Sequence, residues 1–152
     1  MQDDKERPQV LVLHGPNLDM LGQREPSLYG SATLDQIDAE IKDTAQRLDM
    51  GADCFQSNYE GALVEKLHEA IEHYDAVIIN PAAFTHTSVA IRDALLMLDV
   101  PIIEVHLSNI YKRESFRHVS YVADVATARV AGFGKRGYIM AVEAVAKMVK
   151  RG

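Results

Sequence analysis

The order of apolar and polar residues along the chain predicts five short strands separated by helices or polar segments. Short runs rich in apolar residues are typical of buried β-strands. Between them, apolar residues return every three or four positions, the spacing of a helix that buries one face. The predicted strands cover residues 10–13, 52–56, 76–79, 101–106 and 128–131.

The first predicted helix, at about residues 33–50, shows the helical spacing most clearly. Thr33 and Gln36 form a capping-box pattern at its start, and Gly51 is a natural stop. Further helices are predicted around residues 63–71, 88–98 and 137–149. The inward face of the first helix is expected to hold Leu34, Ile37, Ile41, Ala45 and Leu48.

The predicted strands are too apolar to have a solvent-facing side, which favours a parallel sheet covered by helices on both faces. Five strands fit a single α/β domain over residues 1–152, a flavodoxin-like doubly wound sheet with strand order 2-1-3-4-5. In that order the site lies where strands one and three end. Residues 17–29, 80–86 and 104–108 should therefore converge.

The segment after the first strand, residues 14–30, is far longer than the usual connection of about 2–6 residues. Its apolar members argue against a disordered tail, and its polar members suggest a loop that closes over a polar ligand. We therefore predict a lid at about residues 18–30. Residues 1–8 are strongly charged and are expected to form a flexible arm.

Composition narrows the possible functions. The chain has 152 residues, 47% of them apolar, and a formal net charge of −6, which argues against a nucleic-acid surface. No apolar run approaches the roughly 20 residues that a membrane span requires. Cys54 is the only cysteine, which fits a reducing compartment, so a cytoplasmic protein without nucleic-acid or membrane partners is expected.

Glu104 and His106 lie two positions apart on one predicted strand, so their side chains share a face. A carboxylate beside an imidazole favours the protonated ring and one ring orientation, as a general acid requires. A structural ion pair explains the same pattern equally well. With His86, the pair also supplies three potential metal ligands, although the spacing matches no specific metal motif.

Other polar residues near the strand ends have both structural and functional interpretations. Asn80 suits a turn, and His86 alone is more often structural than catalytic. Arg113 and Arg117 suit either a solvated face or a small polar ligand. Beside them, Leu107 and Ser108 offer backbone N–H groups and a hydroxyl to an anion.

Arg24 and Tyr29 share the predicted lid. A tyrosine has a pKa of about 10 and is a poor base at neutral pH, but a nearby guanidinium stabilises its phenolate. Spacing alone slightly favours the simpler interpretation, in which the tyrosine ring packs and the arginine points into water.

The motifs together resemble those of the type II 3-dehydroquinate dehydratases, in the same order and over nearly the whole chain after Arg7. The matching segments are residues 14–18 (His-Gly-Pro-Asn-Leu), 21–26 (Leu-Gly-Gln-Arg-Glu-Pro), 29–30 (Tyr-Gly), 56–58 (Gln-Ser-Asn), 80–81 (Asn-Pro), 85–90 (Thr-His-Thr-Ser-Val-Ala), 104–109 (Glu-Val-His-Leu-Ser-Asn), 113–117 (Arg-Glu-Ser-Phe-Arg) and 132–134 (Gly-Phe-Gly).

This resemblance implies reversible anti dehydration of 3-dehydroquinate to 3-dehydroshikimate through an enolate, without cofactor or metal. It assigns the C2 base to Tyr29, aided by Arg24, and the acid to His106. Asn17 matches the residue that holds the enolate through a water, and Glu104 matches the partner of His106. Leu107 and Ser108 match the residues that bind the substrate carboxylate. The ring hydroxyls are assigned to Asn80, His86 and Arg117, and Arg113 matches a second arginine of the lid region.

The resemblance also implies trimers assembled into a dodecamer, with Asp93 near a neighbour's site. The predicted helix at residues 88–98 is apolar around almost its whole circumference, which fits burial by another subunit; packing by the long connection after Ser108 is the alternative. The chain departs from the family pattern at His14, Asp19, Ala82 and Phe84, where Asn, Asn, Gly and Tyr are common.

Rival functions within this fold class lack their key residues. A phosphoacceptor module needs acidic residues after strand one and an aspartate after strand three, where this chain has His14 and Asn80. A flavin carrier needs a hydroxyl-rich phosphate loop after strand one, whereas residues 15–19 of this chain read Gly-Pro-Asn-Leu-Asp. A mechanism through a lysine Schiff base is not expected, because none of the lysines lies at an apolar strand end.

Overall fold

A computed structural model describes residues 7–23, 25, 27 and 30–149. The strands are β1 (Gln9–His14), β2 (Gly51–Gln56), β3 (Ala76–Asn80), β4 (Ile102–His106) and β5 (Ala128–Ala131). These five strands form one parallel sheet in the order β2-β1-β3-β4-β5, which confirms the predicted doubly wound topology.

Helices cover both faces of this sheet. The described helices are α1 (Leu34–Arg47), α2 (Glu60–His73), α3 (Val89–Leu96) and α4 (Arg136–Met148). Helices α1 and α4 pack on one face and share a core cluster with Val12, Ile78 and Val105 of the sheet. Helices α2 and α3 pack on the other face, against Leu13 and Ile79. Short 3-10 segments are Leu18–Met20, Ala82–His86, Ile110–Lys112 and Ser115–His118.

The start of α1 agrees with the prediction and its end does not. Thr33 and Gln36 form both hydrogen bonds of the capping box. The helix ends at Arg47, and Asp49 takes the left-handed conformation (φ 62°), which aspartate tolerates better than most residues. Gly51 therefore opens β2 instead of stopping the helix, and Leu48 is 40% exposed instead of facing inward.

Two strands contradict the prediction that no strand has a wet side. β2 and β5 are the edges of the sheet, and their residues are partly exposed, whereas β3 and β4 are buried throughout. The exposed Asp53 on β2 accepts a hydrogen bond from the Tyr74 hydroxyl at 2.7 Å. Edge strands lack a neighbour on one side, so polar residues are tolerated there.

The predicted arm and lid are only partly described. Pro8 and Gln9 belong to the fold, since Pro8 accepts a hydrogen bond from the Gly51 N–H at 2.9 Å and Gln9 begins β1. Residues 1–6 lie outside the described residues. In the predicted lid, Leu18 and Leu21 are each 3% exposed and pack into the core, so its first part is anchored.

Helix α3 has one covered edge and one exposed face. Arg92 donates to the Asp124 carboxylate and to the Tyr121 carbonyl, so the long connection after β4 packs along one edge of the helix. Val89, Leu96 and Met97 remain 53%, 60% and 58% exposed. Among the described helices, none is long and apolar enough to cross a membrane.

Candidate active site

A cleft lies at the carboxyl ends of β1, β3 and β4, where the strand order reverses. Parallel register places His14 beside Asn80, and Ile79 beside Glu104, so the segments that follow these strands emerge together. The residues that line the cleft are Pro16, Asn17, Leu18, Asn80, Ala82, Ala83, His86, His106, Leu107, Ser108, Ile110, Arg113 and Arg117.

The floor of the cleft requires a glycine after β1. The Gly15 N–H donates to the Asn80 carbonyl at 2.8 Å, which joins the ends of β1 and β3. A Cβ atom at this position would lie 2.3 Å from the Pro81 carbonyl oxygen, far inside van der Waals contact. Only glycine allows the two chain segments to approach so closely.

Asn17 is held in an uncommon backbone conformation by the end of β2. Its φ is 69°, and its N–H donates to Asn58 Oδ1 at 2.9 Å. Gln56 donates to the same oxygen at 3.2 Å and to the Gly15 carbonyl at 3.2 Å. The end of β2 and the segment after it therefore support the loop that carries Asn17, a role that was not predicted from the sequence.

His106 and Glu104 form a buried hydrogen-bonded pair beneath the cleft. His106 Nε2 lies 2.5 Å from Glu104 Oε2, and the two residues are 5% and 0% exposed. An ionised carboxylate only accepts hydrogen bonds, so Nε2 carries the proton in this pair. Nδ1, which has no protein partner among the described residues, is left as the ring nitrogen for proton exchange with a ligand.

Glu104 is kept ionised by the donors around it. Thr85 and Ser120 hydroxyls donate to Oε2 at 2.9 and 2.8 Å, and Arg129 Nε donates to Oε1 at 2.9 Å. Burial by itself raises the pKa of this carboxyl. Hydrogen bonds and charge from the His106 ring, with help from Ser120 and Arg129, outweigh burial and lower the pKa of Glu104 to about 2.

His86 lines the cleft as a neutral ring. Burial lowers its pKa, opposed by the hydrogen bond to the Val119 carbonyl, and the positive charge of His106 and the two cleft arginines lowers it further. Nδ1 lies 2.7 Å from the Val119 carbonyl oxygen, which can only accept, so Nδ1 carries the proton. Nε2 is then an acceptor, suited to a ligand hydroxyl.

One wall of the cleft is formed by two arginines and the chain just past β4: Arg113, Arg117, Leu107 and Ser108. Arg117 is paired with Glu114 through its Nε, and both arginines line the cleft. The carbonyl oxygens of His106 and Leu107 accept from Gly132 and Gly134 at 3.2 and 2.9 Å, which fixes the chain just past β4. Two guanidinium groups beside fixed backbone N–H groups favour an anionic ligand.

Four predicted site residues, one of them the buried Glu104, are absent from the described lining of the cleft. Arg24 and Tyr29 lie outside the described residues, so the predicted base and its partner are not placed. Asp93 is exposed on α3 and is absent from the cleft lining. The structure therefore brings together Asn17, Asn80, His86, His106, Leu107, Ser108, Arg113 and Arg117, with Glu104 beneath them.

Three hydrogen-bond donors to Glu104 were not predicted from the sequence as site residues: Thr85, Ser120 and Arg129. Arg129 is the one with a sequence signal, because it is a charged residue within a strand of only four residues, ARVA. Parallel register pairs Arg129 with Glu104 across β4 and β5. Ser120 lies in an irregular segment and carries no such signal.

Known proteins resemble this chain over nearly its whole length. The family model described as dehydroquinase class II matches residues 8–146. A 3-dehydroquinate dehydratase from Desulforudis audaxviator (strain MP104C) is 51% identical over 143 residues, which covers 94% of this chain and 95% of that protein. Another, from Psychromonas ingrahamii, is 55% identical over 134 residues, with coverage of 88% and 90%.

Solved structures agree with these relatives. The type II dehydroquinase of Propionibacterium acnes has a TM-score of 0.89 and 42% identity, and the match covers 91% of this chain and 96% of that one. The type II dehydroquinase of Butyrivibrio crossotus also has a TM-score of 0.89, with 40% identity and coverage of 91% and 97%. The chain thus belongs to the class II dehydroquinase family of enzymes, as its motifs predicted.

Proposed function

We propose that this chain catalyses the reversible dehydration of 3-dehydroquinate to 3-dehydroshikimate, a lyase reaction of the shikimate pathway, without a metal or cofactor. The observation that carries the proposal is the Glu104–His106 pair in the cleft of a class II dehydroquinase. Loss of water next to a carbonyl needs a base, a group that stabilises an enolate, and an acid.

The proposed base is Tyr29, with Arg24 favouring its phenolate. The phenolate takes a proton from C2, and the electrons of the C2–H bond form the enolate. Asn17 holds a water against the enolate oxygen, and its fixed backbone supports that role. His106, protonated on both ring nitrogens in this step, then gives the Nδ1 proton to the C1 hydroxyl while its Nε2–H stays bonded to Glu104. The C1–O bond breaks, water leaves, and the C1–C2 double bond forms.

The remaining residues of the cleft wall bind the carboxylate and the ring hydroxyls of the substrate. The substrate carboxylate is bound by the backbone of Leu107 and Ser108. Ring hydroxyls are bound by Asn80, His86 and Arg117, and the Nε2 acceptor of His86 fits a hydroxyl donor. The predicted lid at about residues 18–30, with Arg113, closes over the bound substrate. Within it, the described residues Leu18 and Leu21 are buried in the core.

We also propose that the chain assembles as trimers, and four trimers as a dodecamer. The exposed apolar face of α3 at Val89, Leu96 and Met97 supports burial by a second subunit. Asp93 lies between these residues and acts at a neighbour's site across that interface.

The direct test is to mix purified protein with 3-dehydroquinate and follow the ultraviolet absorbance of the conjugated enone product. We expect turnover that borohydride does not abolish, because no lysine Schiff base forms.

Tyr29→Phe should reduce turnover more than about a hundredfold, since it lacks the oxygen that takes the proton. Tyr74→Phe is the matched control, because its phenol bonds Asp53 away from the cleft. No turnover by the wild-type protein would overturn the proposal.

A further inference from the structure

A chain of buried hydrogen bonds runs from the cleft into the core beneath it. Asn80 Nδ2 lies 3.0 Å from the Tyr138 hydroxyl, which lies 2.8 Å from His14 Nδ1. His14 Nε2 lies 2.7 Å from Asp38 Oδ1. Asn80 is 2% exposed, and both Tyr138 and His14 are 0% exposed. These residues come from β3, α4, β1 and α1, so the network joins four elements at the switch point of the sheet.

The direction of each bond follows from the donors and acceptors present. The Ala82 N–H donates to Asn80 Oδ1 at 3.1 Å, so the amide nitrogen faces Tyr138 and donates to its hydroxyl. The hydroxyl proton is then available for His14 Nδ1, which must be an acceptor. His14 therefore carries its proton on Nε2 and donates to Asp38. The reverse tautomer would leave the Tyr138 proton without an acceptor among the residues that the structure describes.

Asp38 is the acceptor that ends the chain of hydrogen bonds. It also accepts a hydrogen bond from the thiol of Cys54, whose pKa is raised by burial and by Asp38. His14, Asp38 and Cys54 are close enough to be considered as metal ligands. Both ring nitrogens of His14 are already hydrogen-bonded, so His14 has partners without an ion.

We propose that Tyr138 and His14 are positioning residues that fix the side-chain amide of Asn80 in the substrate cleft. The inference rests on the proposed function, in which Asn80 contacts a ring hydroxyl. With Oδ1 bound to Ala82 and one N–H bound to Tyr138, Asn80 presents its second N–H to the ligand. His86 presents an acceptor, so the two together select a hydroxyl, which can accept from one and donate to the other.

The test is a double-mutant cycle between Tyr138→Phe and Asn80→Ala, read as kcat and KM for 3-dehydroquinate. Tyr138→Phe keeps the ring but removes the hydroxyl. We expect it to lower kcat/KM about tenfold, mainly through KM, because it frees the Asn80 amide to rotate. In the Asn80→Ala background the same substitution should change kcat/KM less than about twofold. Tyr74→Phe, with a hydrogen-bonded phenol elsewhere, should leave kcat/KM unchanged.

Equal losses from Tyr138→Phe in both backgrounds would overturn the proposal, because a purely structural role does not depend on Asn80. A second measurement needs no variant: long-range proton–nitrogen NMR of the wild-type protein reports the His14 tautomer. We expect Nε2–H, and Nδ1–H would overturn the assigned direction. If the wild-type protein fails to turn over 3-dehydroquinate, the proposed function fails, and the NMR result then decides the orientation of the network by itself.

Discussion

Arg129 lies directly beside Glu104 in the register of β4 and β5, and its Nε donates to Glu104 Oε1 at 2.9 Å. The carboxylate therefore has a cation on one oxygen and the His106 ring and two hydroxyls on the other. In a buried position, this arrangement makes the ionised form of Glu104 strongly favoured in the folded protein.

The first prediction concerns stability in acid. The pKa of Glu104 falls from an ordinary 4.5 to about 2 on folding. The contribution of its ionised carboxylate to the free energy of unfolding is therefore complete above pH 4.5 and is lost as the pH falls towards 2. By linkage that contribution is about 3 kcal/mol. Denaturant unfolding should show a deficit of this order in Glu104→Gln at neutral pH, and the deficit should shrink as the pH falls through this window.

The matched control for that measurement is Glu65→Gln, on the exposed side of α2. It should stay within about 0.5 kcal/mol of the wild-type protein, as exposed substitutions usually do. A deficit for Glu104→Gln that is the same at every pH would contradict the role given to the ionised carboxylate.

The second prediction separates the acid from the base. His106→Ala should reduce dehydration more than about a hundredfold, because the C1 hydroxyl then leaves without a proton. Exchange of the C2 proton with deuterated solvent should persist, since the base acts first; proton NMR of the substrate measures it. His68→Ala, on the exposed side of α2, is the control. Dehydration by His106→Ala within tenfold of wild type would argue against His106 as the acid.

The third prediction concerns Ala82, which has a φ of 52°. An alanine in the left-handed region is strained by about 1–2 kcal/mol, whereas glycine adopts it freely at some cost in unfolded-chain entropy. Ala82→Gly should therefore raise the free energy of unfolding by about 0.5–1 kcal/mol. The neighbouring Ala83 has no positive φ, so Ala83→Gly should lower it by a similar amount. Destabilisation in both variants would mean that Ala82 is not strained.

The fourth prediction concerns assembly. Light scattering should give a mass that is a multiple of three subunits of 16.9 kDa. Leu96→Glu should reduce both that mass and the specific activity, because it places a charge on the exposed apolar face of α3. Leu48→Glu alters an exposed leucine next to α1 and serves as the control.

Asp93→Ala should lower activity through loosened interface contacts. A wild-type monomer with full activity would contradict the assembly and the role of Asp93.

The strand order and the cleft were predictable because both follow from local patterns. Apolar runs such as Val10–Leu13 and Ala76–Ile79 identify central strands, and the right-handed crossover rule leaves few ways to connect them. Glu104 and His106 share a face by strand geometry alone. The family resemblance that the motifs indicated is confirmed by the match over residues 8–146.

What could not be predicted depends on contacts between distant segments. The pairing of Arg129 with Glu104 needs the register of two strands, and Ser120 reaches Glu104 from an irregular connection. The end of α1 was misplaced because Asp49, not Gly51, takes the left-handed conformation there. The wet sides of β2 and β5 follow from their place at the sheet edges, which the apolar pattern alone does not reveal.

The most direct test of the central claim uses 3-dehydroquinate that carries deuterium at one or the other C2 position. An anti elimination by a base and an acid on opposite sides of the substrate predicts that the product loses only the label anti to the departing C1 hydroxyl. Mass spectrometry of the 3-dehydroshikimate formed reads the outcome. Loss of the syn label, or no product from either substrate, would contradict the account.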